Sequence, residues 1–207
     1  VSRILFCGMG GSAISGEILK ILFGRMSRIP FEVGRSLRLP LWVDQKTLLI
    51  FSSYSGNTQE VLRVFAQVFR RTSKVLAVTS GGRLAKRIRT RGGLEIKLPG
   101  GIPPRCAIGY LTFPLIQTFN KWGWLKFSGQ DREEVLQVLR RTWGGRPRRL
   151  ARVLLNQHVR FYGSAGFSEP ILMRWQNQFA ENAKVLASHH SIPEMFHNEI
   201  EGYAPSK

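Results

Sequence analysis

Short apolar runs alternate with amphipathic ones along this chain, and the joints between them are rich in glycine and hydroxyl side chains. Residues 48–51 are apolar, residues 60–69 are amphipathic, and Ser52-Ser53-Tyr54-Ser55-Gly56-Asn57-Thr58 lies between them. That order predicts a strand, a turn and a helix. The opening repeats it, with a strand-like run at 1–7, the turn Gly8-Met9-Gly10-Gly11-Ser12-Ala13 and a helical pattern over 14–23. Further strands are predicted at 31–33, 74–79 and 94–98, with a short basic helix at 83–89 and an apolar helix at 107–122. Strands alternating with helices imply right-handed parallel crossovers, and so an α/β fold with a doubly wound parallel sheet.

The second half begins differently. Leu and Val recur at helical spacing over 131–143 and 147–157, separated by Gly144-Gly145, which predicts two scaffold helices. Phe161-Tyr162-Gly163-Ser164-Ala165-Gly166 then repeats the opening strand and Gly/Ser turn, and a long helix is predicted over 169–187. The expected organisation is a first domain at 1–125, a helical linker at 126–156 and the first part of a second, similar domain at 157–207.

The turn at 53–58 suits a phosphate monoester. Backbone N–H groups in the first turn of a helix have no partner, and the peptide dipoles add partial positive charge there. Ser53, Ser55 and Thr58 offer hydroxyl donors, and Gly56 removes a Cβ that would hold the phosphate off. No Gly-Lys-Ser/Thr follows, which argues against a nucleoside triphosphate. The bland alternative is an ordinary Ser/Thr helix cap. A second Gly-rich turn at 8–13 strengthens the phosphate reading, because both turns fall where a doubly wound sheet binds ligands. Pro99-Gly100-Gly101-Ile102-Pro103-Pro104 is too rich in Gly and Pro for regular structure, and it delivers Arg105. Arg105 is either a solvated surface residue or a guanidinium held over an anion.

Composition narrows the class. With 207 residues, 43% hydrophobic and 21% charged, the chain is globular. No apolar run approaches the ~20 residues that cross a bilayer. The start shows no signal-peptide pattern, so the expected compartment is the cytosol. Cys7 and Cys106 have no metal or redox spacing and are expected to be packed thiols. The net charge of +18 is spread along helices without a nucleic-acid motif or aromatic platform, so a solvated cationic surface is expected rather than a specific nucleic-acid groove.

Ser53-Tyr54-Ser55-Gly56-Asn57-Thr58 closely resembles the phosphosugar-binding signature of the sugar isomerase (SIS) domain family. With the motifs at 8–13, 79–84, 99–105, 174–184 and 193–202, the chain resembles the bifunctional phosphoglucose/phosphomannose isomerase branch. The resemblance implies a flavodoxin-like α/β/α sandwich and interconversion of glucose or mannose 6-phosphate with fructose 6-phosphate through a cis-enediol. It also implies a cytoplasmic homodimer that needs neither cofactor nor metal. Gly10, Gly11, Ser12, Ser53, Ser55 and Thr58 would contact the substrate, Arg105 would stabilise charge, and Glu199 would be the base. His197 would orient Glu199 or assist ring opening, while the family's ring-opening His and a further Lys are expected downstream. A departure from the pattern is Phe196, where the family usually has Asn. The competing readings are a non-catalytic sugar-phosphate-binding module and a nucleic-acid-associated basic protein.

Overall fold

In the computed structural model, β1 (Arg3–Gly8), β2 (Phe31–Gly34), β3 (Thr47–Ser52), β4 (Val75–Thr79) and β5 (Leu94–Lys97) form one sheet. All its pairings are parallel and the order is β2-β1-β3-β4-β5. The structure describes residues 1–142 and 144–203, and only the backbone of Arg70. Trp143, the last residue of one predicted helix, and 204–207, the end of the predicted second domain, lie outside the described residues. The chain divides into two compact units, Val1–Lys126 and Phe127–Lys207.

In the first unit, residues on alternate sides of β1, β3 and β4 feed two apolar layers. Ile4 and Phe6 on β1 are in register with Leu48 and Ile50 on β3, and all four are buried. Their face receives α1 (Gly10–Met26), which packs so closely that a Cβ on Gly16 would stand 2.5 Å from the Phe6 ring. The layer extends through Phe23 to Phe119 on α4 (Ile108–Lys121), an edge-on aromatic pair 5.1 Å apart. On the opposite face Leu5, Cys7, Leu49 and Phe51 cluster with Val61, Leu62 and Phe65 of α2 (Gln59–Ala66) and with Leu84 and Ile88 of α3 (Gly82–Thr90). The predicted α/β, doubly wound parallel sheet is what the unit forms. From β1 the chain goes outward to β2 and then back across to β3, so the winding reverses between β1 and β3, where such sheets open a crevice at their carboxyl ends.

The second unit contains α5 (Gly129–Arg140), α6 (Arg146–Leu154), β6 (Val159–Ser164), α7 (Glu169–Gln178) and β7 (Ala187–Ile192), with β6 and β7 parallel. Ser128 starts α5 with a reciprocal cap: its Oγ accepts from the Asp131 N–H at 3.1 Å, and its own N–H donates to Asp131 Oδ2 at 2.7 Å. The helix predicted over 169–187 is shorter than expected. After Gln178 it loosens into a π turn, Phe179–Ala183, and Lys184 closes it in the left-handed region at φ 58°. The strand β7 begins only at Ala187, and its Ser-His-His-Ser centre has no apolar run to signal a strand.

The two cysteines differ. Cys7 is buried on β1, and burial pushes its thiol up to about 12. Cys106 is exposed, contrary to expectation, because it ends the surface turn Pro104–Cys106 before the apolar face of α4 begins. Near neutral pH a thiol reagent should label Cys106 and spare Cys7 until the protein unfolds, since the thiolate is the reacting form. Peptide mapping after brief alkylation checks this, and equal labelling of both would contradict it.

Candidate active site

The turns after β1 and β3 lie side by side, because Gly8 is in register with Ser52. Gly10 takes a φ of +51°, exposed at the start of α1. Gly11 is half-buried, and a Cβ there would lie 3.7 Å from the Pro104 carbonyl oxygen and 4.0 Å from Arg105 Cα. The first turn therefore abuts the loop that carries Arg105, whose side chain is exposed. Ser12 is half-buried, and its carbonyl accepts from the Ser15 hydroxyl at 2.7 Å.

In the second turn Ser53 is buried and Ser55 exposed. The Ser53 and Thr58 hydroxyl oxygens are 2.7 Å apart, so one donates to the other and a hydroxyl proton is left for a ligand. Among the described residues no side-chain bond caps α1 or α2, including any from Thr58 at the start of α2. The Ser12 N–H already donates to the Met9 carbonyl at 3.1 Å, so it is the N–H groups of Gly10 and Gly11 in α1, and those of the first turn of α2, that keep the anion-binding character expected of helix starts.

Gly56 has a stronger reason to be glycine than access for phosphate. It sits at φ +66°, and a Cβ would stand 1.8 Å from the Gly81 carbonyl oxygen. Gly82 is in the mirror situation, 2.4 Å from the Ser55 carbonyl oxygen. The 53–58 turn and the turn after β4 are interlocked, with the Leu84 N–H on the Gly56 carbonyl at 2.9 Å and the Arg83 N–H on Asn57 Oδ1 at 3.1 Å.

Glu199 lies in the second unit, at the start of the 3-10 turn Glu199–Tyr203. Its carboxylate is only 19% exposed. Oε1 accepts from the Tyr162 hydroxyl at 2.7 Å and lies 4.0 Å from the Arg160 guanidinium. Oε2 is sealed from solvent and lies 2.6 Å from His190 Nδ1, within ion-pair distance though not aligned as a hydrogen bond. Tyr162 on β6 and His190 on β7 are register partners with stacked rings, so the two strands deliver both groups to one carboxylate. Hydrogen bonds to Tyr203 and to Glu199 push the Tyr162 phenol well above the usual tyrosine range, which keeps it a donor. Beside Glu199 is an open cleft of about 430 Å³, lined by Arg160, Ser188, His190, Asn198 and Tyr203. His197 is exposed at the end of the turn Glu194–His197, and the imidazole beside Glu199 belongs to His190.

In the structure Gly11, the 53–58 turn and the loop that carries Arg105 meet at one edge of the first unit. Sequence reasoning passed over Tyr54, His190 and Tyr162. Of these, only His190 left a signal, as half of a His-His pair in a polar run.

The SIS domain model matches residues 1–87, and the model described as the bacterial phospho-glucose isomerase C-terminal SIS domain matches residues 145–207. A bifunctional phosphoglucose/phosphomannose isomerase from Caldicellulosiruptor bescii is 36% identical over 98% of this chain and 62% of its own length. A D-glucosamine-6-phosphate 4-epimerase from Sulfolobus acidocaldarius is 31% identical over 98% of this chain and 64% of its own. In fold, the chain is similar to the C-terminal domain of glucosamine-fructose-6-phosphate aminotransferase from Francisella tularensis, with a TM-score of 0.71 at 16% identity. That likeness covers 97% of this chain and 61% of the other. The chain thus spans about three fifths of the length of the curated relatives it matches, 62% in the first. Two SIS-domain models, at residues 1–87 and 145–207, place the chain among SIS-domain proteins, and relatives named bifunctional phosphoglucose/phosphomannose isomerase are similar to it over nearly the whole length given.

Proposed function

We propose that the protein is an aldose–ketose isomerase acting on hexose 6-phosphates, interconverting glucose and mannose 6-phosphate with fructose 6-phosphate. The observation that carries this reading is Glu199, a largely buried carboxylate whose Oε1 accepts from the Tyr162 hydroxyl beside an open cleft, in the chain that also has the 53–58 turn. Isomerisation moves a proton between carbons 1 and 2 through a cis-enediol. Glu199 takes the proton from one carbon and returns it to the other. Arg105, which cannot lose its own proton, stabilises the enediolate oxygen. The Tyr162 hydroxyl holds Oε1 and His190 stands against Oε2, so the carboxylate is fixed in place beside the cleft. The phosphate is held by the Ser55 and Thr58 hydroxyls, with Ser53 supporting Thr58, and by the N–H groups that open α1 and α2. Gly10, Gly11 and Ser12 supply the neighbouring backbone. A non-catalytic binding module would need the phosphate turns but has no use for a buttressed Glu199. The reading carries with it a cytoplasmic homodimer, for which exposed Ile171 and Trp175 on α7 offer apolar surface.

Binding is tested separately from chemistry. Thr58→Val removes the hydroxyl while keeping the shape, and a hydrogen bond to a charged group contributes roughly 1.5–3 kcal/mol. Calorimetry should show fructose 6-phosphate binding weakened about tenfold or more. Unchanged affinity would move the phosphate site elsewhere.

A further inference from the structure

Tyr54 stands in the middle of the phosphate turn, yet its ring points inward and is only 6% exposed. Its hydroxyl donates to the Pro99 carbonyl at 2.8 Å and accepts from the Ile102 N–H at 3.0 Å. One oxygen thereby closes both ends of Pro99-Gly100-Gly101-Ile102, a stretch whose two glycines leave the backbone little intrinsic preference. Gly101 uses that freedom, at φ +82°. The chain beyond is stiff: Pro103 and Pro104 fix their own φ angles, and the turn Pro104–Cys106 carries Arg105. The Tyr54 main chain is anchored as well, its carbonyl accepting from the Ser80 N–H at 2.8 Å and the Ser80 hydroxyl at 2.7 Å. The residue therefore ties the phosphate turn to the turn after β4 through its backbone, and to the Arg105 loop through its side chain.

We propose that Tyr54 is a positioning residue, whose hydroxyl sets the Arg105 loop at a fixed place relative to the 53–58 turn. The proposal rests on the reading of Arg105 and that turn as parts of an isomerase site. Buried as it is, Tyr54 does not touch the substrate. Its effect is exerted on where the cation stands once the phosphate is bound.

Tyr54→Phe removes one oxygen and keeps the ring in its seat. In the intact protein the Ile102 amide should exchange with solvent at least about tenfold faster, because it loses a buried acceptor. The kcat for fructose 6-phosphate should fall about tenfold while KM stays within about twofold, the signature of an interaction felt in the transition state. In an Arg105→Ala background, Tyr54→Phe should cost nothing further, since the group it places is gone. Wild-type kcat and Ile102 exchange in Tyr54→Phe would overturn the proposal. So would an equal loss in both backgrounds, which would show Tyr54 acting through something other than Arg105. Full activity of Arg105→Ala alone would instead overturn the reading of Arg105, and with it the catalytic consequence of the clasp.

Discussion

In the intact protein, Glu199→Gln should lower the rate of glucose 6-phosphate isomerisation by ~10²–10⁴, the usual contribution of a general base. The change is nearly isosteric. A glutamine oxygen can still accept from the Tyr162 hydroxyl, which lies 2.7 Å from Oε1. The surroundings of residue 199 therefore survive while its basicity does not. Sugar-phosphate affinity by calorimetry should stay near wild type, since the phosphate turns belong to the first unit. A rate loss with retained affinity assigns the defect to chemistry. Retained rate would remove Glu199 from the mechanism.

Gly56→Ala should nearly abolish sugar-phosphate binding and destabilise the first unit. A Cβ there would meet the Gly81 carbonyl oxygen at 1.8 Å and Thr79 Oγ1 at 2.7 Å, at a φ of +66°. The left-handed conformation costs about 1–2 kcal/mol for a residue with a Cβ, and overpacking adds about 1–3 kcal/mol or more. The obstacle is backbone on an interlocked turn, so relief requires that the turns after β3 and β4 separate. That displaces Ser53, Ser55 and Thr58 from their places at the start of α2. A turn so displaced should bind sugar phosphate at least about a hundredfold more weakly. Thermal unfolding and calorimetry on the same sample read both effects, and a variant with wild-type affinity would show that the interlock does not hold the phosphate turn in shape.

Much of the first unit was legible because its signals are local. Apolar strand, Gly or hydroxyl turn and amphipathic helix follow one another within a few residues, so α1, α2 and the parallel pairing of the strands could be read from patterning. The reason for Gly56 was only half visible. Its glycine is in the sequence, but the Gly81 carbonyl that demands it comes from another turn. Tyr54 was invisible for the same reason, as its hydroxyl partners are 45 and 48 residues away. In the second unit β7 hid behind polar residues, and the partners of Glu199 emerged only once β6 and β7 stood in register. His197 was considered because it is near Glu199 in sequence, whereas the strand pairing brings His190 to the carboxylate.

The central claim is that the protein moves a proton between carbons 1 and 2 of a hexose 6-phosphate. It is tested most directly by incubating the intact protein with glucose 6-phosphate in deuterated water and following each ring proton by NMR. The account predicts deuterium at carbon 2, appearing with fructose 6-phosphate and lost with Glu199→Gln. Carbon 2 remaining fully protonated through turnover, with the change at carbon 4 instead, would contradict it.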